Sequence, residues 1–176
     1  MCQVLDAPVI RTARLTLRAP TTGDAPRIAG LCGDFEIPRM TTRMPWPYKL
    51  DDAVGFVSRA AAQDRARENT FLIEDAVEGV VGCVGLFMTE RLPEIGYWVG
   101  RPYWGKGIAT EASRAALAWS KSSWGKRAIV AGHFVDNPVS GTVLCKAGFL
   151  YTGEVAIRHS QARGEDTPTR MMVWLA

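Results

Sequence analysis

What this 176-residue chain lacks narrows its function quickly. It has no apolar run near the roughly 20 residues that cross a bilayer, so a helical membrane span is excluded and no membrane partner is expected. Histidine is scarce: His133 and His159 stand apart from each other and from other ligating side chains, so no metal site is expected. Four cysteines, Cys2, Cys32, Cys83 and Cys145, are scattered without a Cys-x-x-Cys pair. That usage suits reduced thiols in a cytoplasm and excludes a disulfide framework. Met1 to Asp6 lacks the basic and apolar regions of a secretion signal. Charge is balanced, 21 Lys and Arg against 18 Asp and Glu, and no basic run offers a nucleic-acid track. Repeats, low-complexity tracts and a second domain are likewise absent.

What remains is ordinary globular material, 47% hydrophobic and 22% charged, enough for one domain with a proper core. Arg14 to Arg18 alternates polar and apolar as a half-buried strand does. Thr22-Gly23-Asp24-Ala25 opens a helix with Thr22 as N-cap and Ile28 and Leu31 facing inward. Pro38 to Pro47 reads as loop. Asp51 or Asp52 caps a second helix with an apolar stripe of Val54, Val57 and Ala61. Thr70 to Ile73 and Val80 to Phe87 read as a hairpin around Val77-Glu78-Gly79, and the second strand, apolar on both faces, should be central. Ala128 to Val135 is a further strand. Asp136-Asn137-Pro138 starts a last helix that Gly148 ends. Thr169 to Leu175 is the closing strand, after a polar loop around Arg163 to Asp166.

The chain is organised around Glu94 to Ala112. Tyr97, Trp98 and Val99 favour a strand. Beyond Gly107, the residues Ile108, Ala112, Ala115 and Trp119 recur on one helix face. Gly105 and Gly107 fall in the turn between, where glycine lets backbone approach a ligand and the helix start offers N–H groups and partial positive charge to a phosphate. By spacing alone, a tight strand-to-helix corner without a ligand fits these glycines equally well.

The residues themselves go further. Trp104-Gly105-Lys106-Gly107-Ile108-Ala109 resembles the acyl-CoA-binding signature of the GNAT superfamily of N-acetyltransferases. Tryptophan in place of the general Gln or Arg, followed by Gly-Lys-Gly-Ile-Ala-Thr-Glu-Ala, is similar to the Rim-type branch, which acetylates ribosomal-protein N-termini and diverse small amines. The match runs from about Ile10 to the end, so residues 10–176 are read as one GNAT domain behind an N-terminal extension, 1–9. The resemblance implies an α/β (α+β) fold with a mixed, largely antiparallel sheet flanked by helices, its fourth and fifth strands splayed to admit acetyl-CoA. It implies an acetyl-CoA-dependent N-acetyltransferase acting on a primary amine, either a protein N-terminus or a small molecule, as monomer or homodimer. The other-class alternative is a non-catalytic acyl-CoA-binding or sensory domain on the same fold.

Carried over residue by residue, the resemblance assigns the pyrophosphate to backbone N–H groups from Trp104 and Gly105 through Lys106, Gly107, Ile108 and Ala109. Lys106 either adds charge or is simply solvated. Trp98, Val99 and Gly100 match the stretch whose backbone binds the pantetheine arm and supplies an oxyanion donor. Asn137-Pro138-Val139-Ser140 with Lys146-Ala147-Gly148-Phe149 matches the element in which Asn137 contacts the cofactor, although an Asn there also serves as a helix cap. Many members carry an acidic tyrosine where this chain has Leu144, and the Rim branch suggests Ser140 instead; a small packing serine is the other reading.

Glu94 is the base this reading selects, sharing a strand face with Gly96, Trp98 and Gly100, where the glycines leave room for a ligand. Glu111 is assigned to helix support through Arg114. His133, among Ile129, Ala131 and Val135, reads as a satisfied core histidine. The aromatic, proline-stiffened segment at Trp46 and Tyr48 is expected at the acceptor entrance, with cover for the sheet as the alternative. Finally, an α-amine of pKa near 7.8 is about one-third neutral at pH 7.5, whereas a lysine near 10.4 is only about 0.1% neutral. That gap of about 3 kcal/mol, with one base in view, favours a low-pKa amine.

Overall fold

A computed structural model describes residues 7–176. The expectations for Cys2 and for the first six residues lie outside the described residues. Eight strands form one sheet: β1 (Ile10–Arg11), β2 (Leu15–Arg18), β3 (Glu68–Asp75), β4 (Gly79–Met88), β5 (Pro93–Val99), β6 (Ala128–Phe134), β7 (Leu150–Ser160) and β8 (Glu165–Leu175). Their order is β1-β2-β3-β4-β5-β6-β8-β7. Every neighbouring pair is antiparallel except β5 and β6, which run parallel and share one registered pair, Glu94 with Val130. Beyond it the two strands part. This is the expected splay, displaced by one in the strand count because the two-residue β1 precedes β2.

Four helices cover the sheet: α1 (Ala25–Cys32), α2 (Leu50–Ala62), α3 (Ile108–Ser122) and α4 (Pro138–Ala147). Two apolar clusters show how they divide its faces. Ile108, Ala112, Ala116 and Leu117 of α3 and Leu144 and Ala147 of α4 pack on Leu17, Phe71, Ile73, Val84, Ile95, Ile129 and Met172. Ala25, Ile28 and Cys32 of α1 and Ala53 and Val57 of α2 pack on Leu72, Val80, Cys83 and Trp98. Strand β4 therefore buries side chains on both faces, as its unbroken apolar run requires. A register slip places Ile73 opposite Gly82 but Glu74 opposite Val80, leaving Val81 as the extra residue of a bulge.

Local chemistry differs from the sequence reading in several places. Thr21, not Thr22, precedes the first helical turn, and its N–H and hydroxyl both donate to Asp24 Oδ2, at 2.7 and 2.8 Å. Asp24 is in turn clamped by Arg18, which also reaches Glu74 on β3. Helix α2 starts after Lys49, whose N–H donates to Asp52 Oδ2 at 2.7 Å, so Asp52 caps from inside the first turn. Its buried stripe is Ala53, Val57 and Ala60, while Val54 points to solvent. Strand β7 escaped the sequence reading altogether. It is the sheet edge, exposed on both faces along most of its length, with Gly153 in its interior. No burial imposes a period-2 pattern on such a strand.

Candidate active site

Parting β5 from β6 opens a cleft of about 770 Å³ that is lined from both faces of the sheet. Cross-strand register builds its floor on the α1/α2 face. Glu68, Phe87 and Glu94 stand opposite one another in one row across β3, β4 and β5; Thr70, Gly85 and Gly96 form the next row, then Leu72, Cys83 and Trp98. The middle row is short of side chains, and a Cβ at Gly96 would come no nearer than 3.8 Å to Phe87. Two glycines thus hollow out the floor between Glu94 and Trp98. Burial pushes the Cys83 thiol up to about 12, so it stays protonated.

Glu94 is 7% exposed. Arg158, which lies on the strand that sequence reading missed, takes both its oxygens: Nη1 donates to Oε1 and Nη2 donates to Oε2 at 3.1 Å. A buried carboxylate at the sheet needs such a partner. The two Arg hydrogen bonds leave further lone pairs of the carboxylate for a third donor. Arg43 lies over the Phe87 ring at 4.1 Å, on the same outer row. Neither arginine carried a signal in the sequence, because each is brought in by a distant segment.

On the opposite face, Tyr97, His133, Ser140 and Leu144 line the same cleft. Asn137 caps α4 with Oδ1 accepting from Ser140 N at 3.2 Å, and its amide NH2 has no hydrogen-bond partner among the described residues. The cap and a ligand contact can therefore coexist. His133 is the satisfied histidine expected: Nδ1 faces the Phe134 carbonyl at 2.9 Å and must donate to it, which leaves Nε2 to accept from Tyr151 at 3.0 Å.

The turn between β5 and α3 is made of backbone. Gly107 has φ +75°, where side-chained residues are strained, and it is the N-cap of the 15-residue α3. Ile108 is buried and anchors the helix start, while Gly105, Lys106 and Gly107 are on the surface. Arg14, unnoticed in the sequence, donates Nη2 to the Lys106 carbonyl at 2.7 Å and Nε to Glu111 at 2.6 Å. Glu111 is thereby corrected: its partner is Arg14, across the fold, and Arg114 instead donates Nε to Lys146 O at 2.9 Å. Lys106 extends over the Tyr103 ring at 5.4 Å. An open glycine turn, a helix start and two cations fit a pyrophosphate.

The structure divides the remaining expected positions. Gly100 N donates to Val81 O at 2.8 Å, so in the antiparallel alternation Gly100 and Trp98 both aim their N–H groups at β4. Only Val99 of that trio, together with Tyr97, turns its N–H toward the fork. Trp104 spends its indole N–H on Val99 O at 2.6 Å, bracing the end of β5. Trp46 does not line the cleft. It is 42% exposed and packs on Phe35 with centroids 5.0 Å apart, while Tyr48 is buried with α1 and α2 and does reach the cleft. The loop turned the two aromatics to opposite sides.

Comparison with known proteins agrees with this geometry. Residues 14–150 match the acetyltransferase (GNAT) domain family. The N-acetyltransferase YoaA of Bacillus subtilis (strain 168) is 30% identical over 151 residues, 83% of this chain and 85% of that one. The ribosomal-protein-serine acetyltransferase of Escherichia coli (strain K12) is 32% identical over 80 residues, 46% of this chain and 45% of that one. The spermidine N-acetyltransferase of Vibrio cholerae, solved with CoA and spermine, superposes with TM-score 0.76 at 25% identity, covering 93% of this chain and 96% of that one. With a forked sheet, a glycine turn at the start of α3 and these relatives, the chain belongs to the GNAT acetyltransferases and is an acetyl-CoA-dependent acyltransferase.

Proposed function

We propose that this enzyme moves the acetyl group of acetyl-CoA to a primary amine, a protein N-terminal α-amine or a small-molecule amine, by direct attack on the thioester. One observation carries the reading: a single cleft runs through the fork with the Glu94 carboxylate on one face and the Ser140 hydroxyl on the other. That is the separation the reaction needs, a proton acceptor beside the amine and a donor beside the departing sulfur. The relatives named for ribosomal-protein serine and for spermidine bracket the range of acceptors. In this reading the turn from Gly105 to Ala109 holds the pyrophosphate, with Arg14 and Lys106 adding charge. Asn137 Nδ2 and the fork-facing N–H of Val99 serve the pantetheine and the oxyanion. Glu94, aimed by Arg158, receives the amine proton directly or through water. Tyr48 and Arg43 border the acceptor side, where Trp46 does not contribute. A thiol-release assay with acetyl-CoA and a panel of amines, including peptides with different N-termini, tests it. Turnover with at least one amine is expected; CoA binding without turnover on any of them would sink the reading.

A further inference from the structure

Tyr97 makes a contact that the reaction just described does not use. It lies three residues beyond Glu94, the position at which β5 and β6 pair, and it opposes Val84 on the face packed by α3 and α4. From there its hydroxyl reaches the first turn of α4, 2.8 Å from Ser140 Oγ and 3.1 Å from the Ser140 carbonyl. The contact bridges the two elements on either side of the fork, and both side chains line the cleft.

The rest of Ser140 is already fixed. Its N–H donates to Asn137 Oδ1, and its carbonyl, besides serving the helix, accepts from the Tyr97 phenol at 3.1 Å, so that the one phenolic proton is shared between this oxygen and the nearer Oγ at 2.8 Å. Only the hydroxyl rotor remains to be set. When the phenol donates to Oγ, the serine hydrogen has to point away from Tyr97, and the open direction is the cleft. When the serine donates back to the phenol, that hydrogen is lost to the cleft. Burial pushes the Tyr97 phenol well above its ordinary pKa, a rise only partly offset by the hydrogen bond to Ser140, so it remains a donor at working pH.

Resting on the acetyl-transfer reading above, we propose that Tyr97 is a positioning residue for thiolate departure: it donates to Ser140 Oγ and so aims the serine O–H at the thioester sulfur. As the amine nitrogen forms its bond to the carbonyl carbon, the C–S bond breaks and its electron pair stays on sulfur. The thiolate leaves while accepting the Ser140 hydrogen bond, which the donor chain from Tyr97 strengthens. Neither side chain surrenders its proton. The proton released by the nitrogen, through Glu94 or water, is the one that ends on CoA.

The test compares leaving groups. With acetyl-CoA, Tyr97→Phe and Ser140→Ala should each lower kcat about 5- to 30-fold with CoA affinity unchanged. The double variant should lose no more than Ser140→Ala alone, because Tyr97 acts only through the serine. With S-acetyl para-nitrothiophenol, whose acidic thiol needs no such help, each variant should stay within about twofold of the parent. An unchanged kcat in Tyr97→Phe, multiplying losses in the double variant, or an equal defect with the aryl thioester overturns the assignment. Should Tyr97→Phe prove unstable, fluorotyrosine at position 97 keeps the contact with a stronger donor; kcat should hold or rise, and a fall overturns the proposal. A parent chain inactive on every amine fails the acetyl-transfer reading itself, whereas an active parent with an indifferent Tyr97→Phe fails only this one.

Discussion

The turn that opens α3 is backbone from one continuous stretch, Gly105 to Ala109, whereas the Glu94 end of the cleft is made of side chains from five separate ones: Arg43, Glu68, Phe87, Glu94 and Arg158. The first end depends on conformation, because a left-handed glycine and a helix start present N–H groups whatever their neighbours carry. The second depends on tertiary placement. Glu94 is partnered only because β7 returns along β8 and delivers Arg158 over Gly132 and Thr169. The glycine turn is therefore encoded locally, and the surroundings of Glu94 are encoded across the fold.

Breaking the backbone end should give the largest effect. Gly107→Glu puts a strained residue with a negative charge at the α3 start, and calorimetry should show CoA affinity falling by about 100-fold or more while circular dichroism keeps the helix content. Unchanged affinity would place the phosphates elsewhere. At the other end, Glu94→Gln should lower kcat about 30- to 100-fold, most deeply at low pH where the amine is protonated, and leave CoA affinity near the parent value. A pH–rate profile that superposes on the parent's would remove Glu94 from proton transfer.

The next contrast concerns stability. Arg158→Leu strands the Glu94 carboxylate, and since the arginine is partly solvent-exposed the expected cost is about 1–3 kcal/mol in a denaturant titration. Glu94→Gln in the same chain should recover part of that, because the two losses share one pair. Simple additivity would mean that the pair contributes nothing jointly.

The α1/α2 lobe has its own ionic anchor. The Arg18 guanidinium holds the Asp24 carboxyl down at about 2. A folded-state pKa below the unfolded value of about 3.9 stabilises above that value and is lost as pH falls toward about 2. Asp24→Asn should therefore cost roughly 1–2 kcal/mol at neutral pH and almost nothing near pH 2, read from melting temperatures across that window. The smallest effect is expected of Trp46→Ala, with an acceptor Michaelis constant within about twofold of the parent, against about 3- to 10-fold for Arg43→Ala. Equal effects would return the entrance to the Trp46 side.

Legibility followed the same division. Strands β4 and β5, helix α3 and the Asn137 start of α4 were readable because burial on one or both faces, glycines at a turn and a capping residue leave marks within a few positions of one another. Strand β7 left none, being exposed on both faces, and with it went Arg158. Register decided the rest. The sequence alone could not say whether Trp98, Val99 or Gly100 turns its N–H into the fork, since a one-residue shift reverses every answer, and the pairing of Gly100 with Val81 settles it. Trp46 and Tyr48 stand two residues apart in one loop, and only packing against Phe35 and α2 sent them to different sides. By itself the chain determined most of its elements and the glycine turn that opens α3, because those rest on local conformation and periodic burial, while its resemblance to the GNAT family implied the forked fold. The tertiary structure alone decided who partners Glu94, where Arg14 and Tyr97 reach and which side chains line the cleft, because contacts between residues dozens of positions apart exist only once the sheet has closed around its fork.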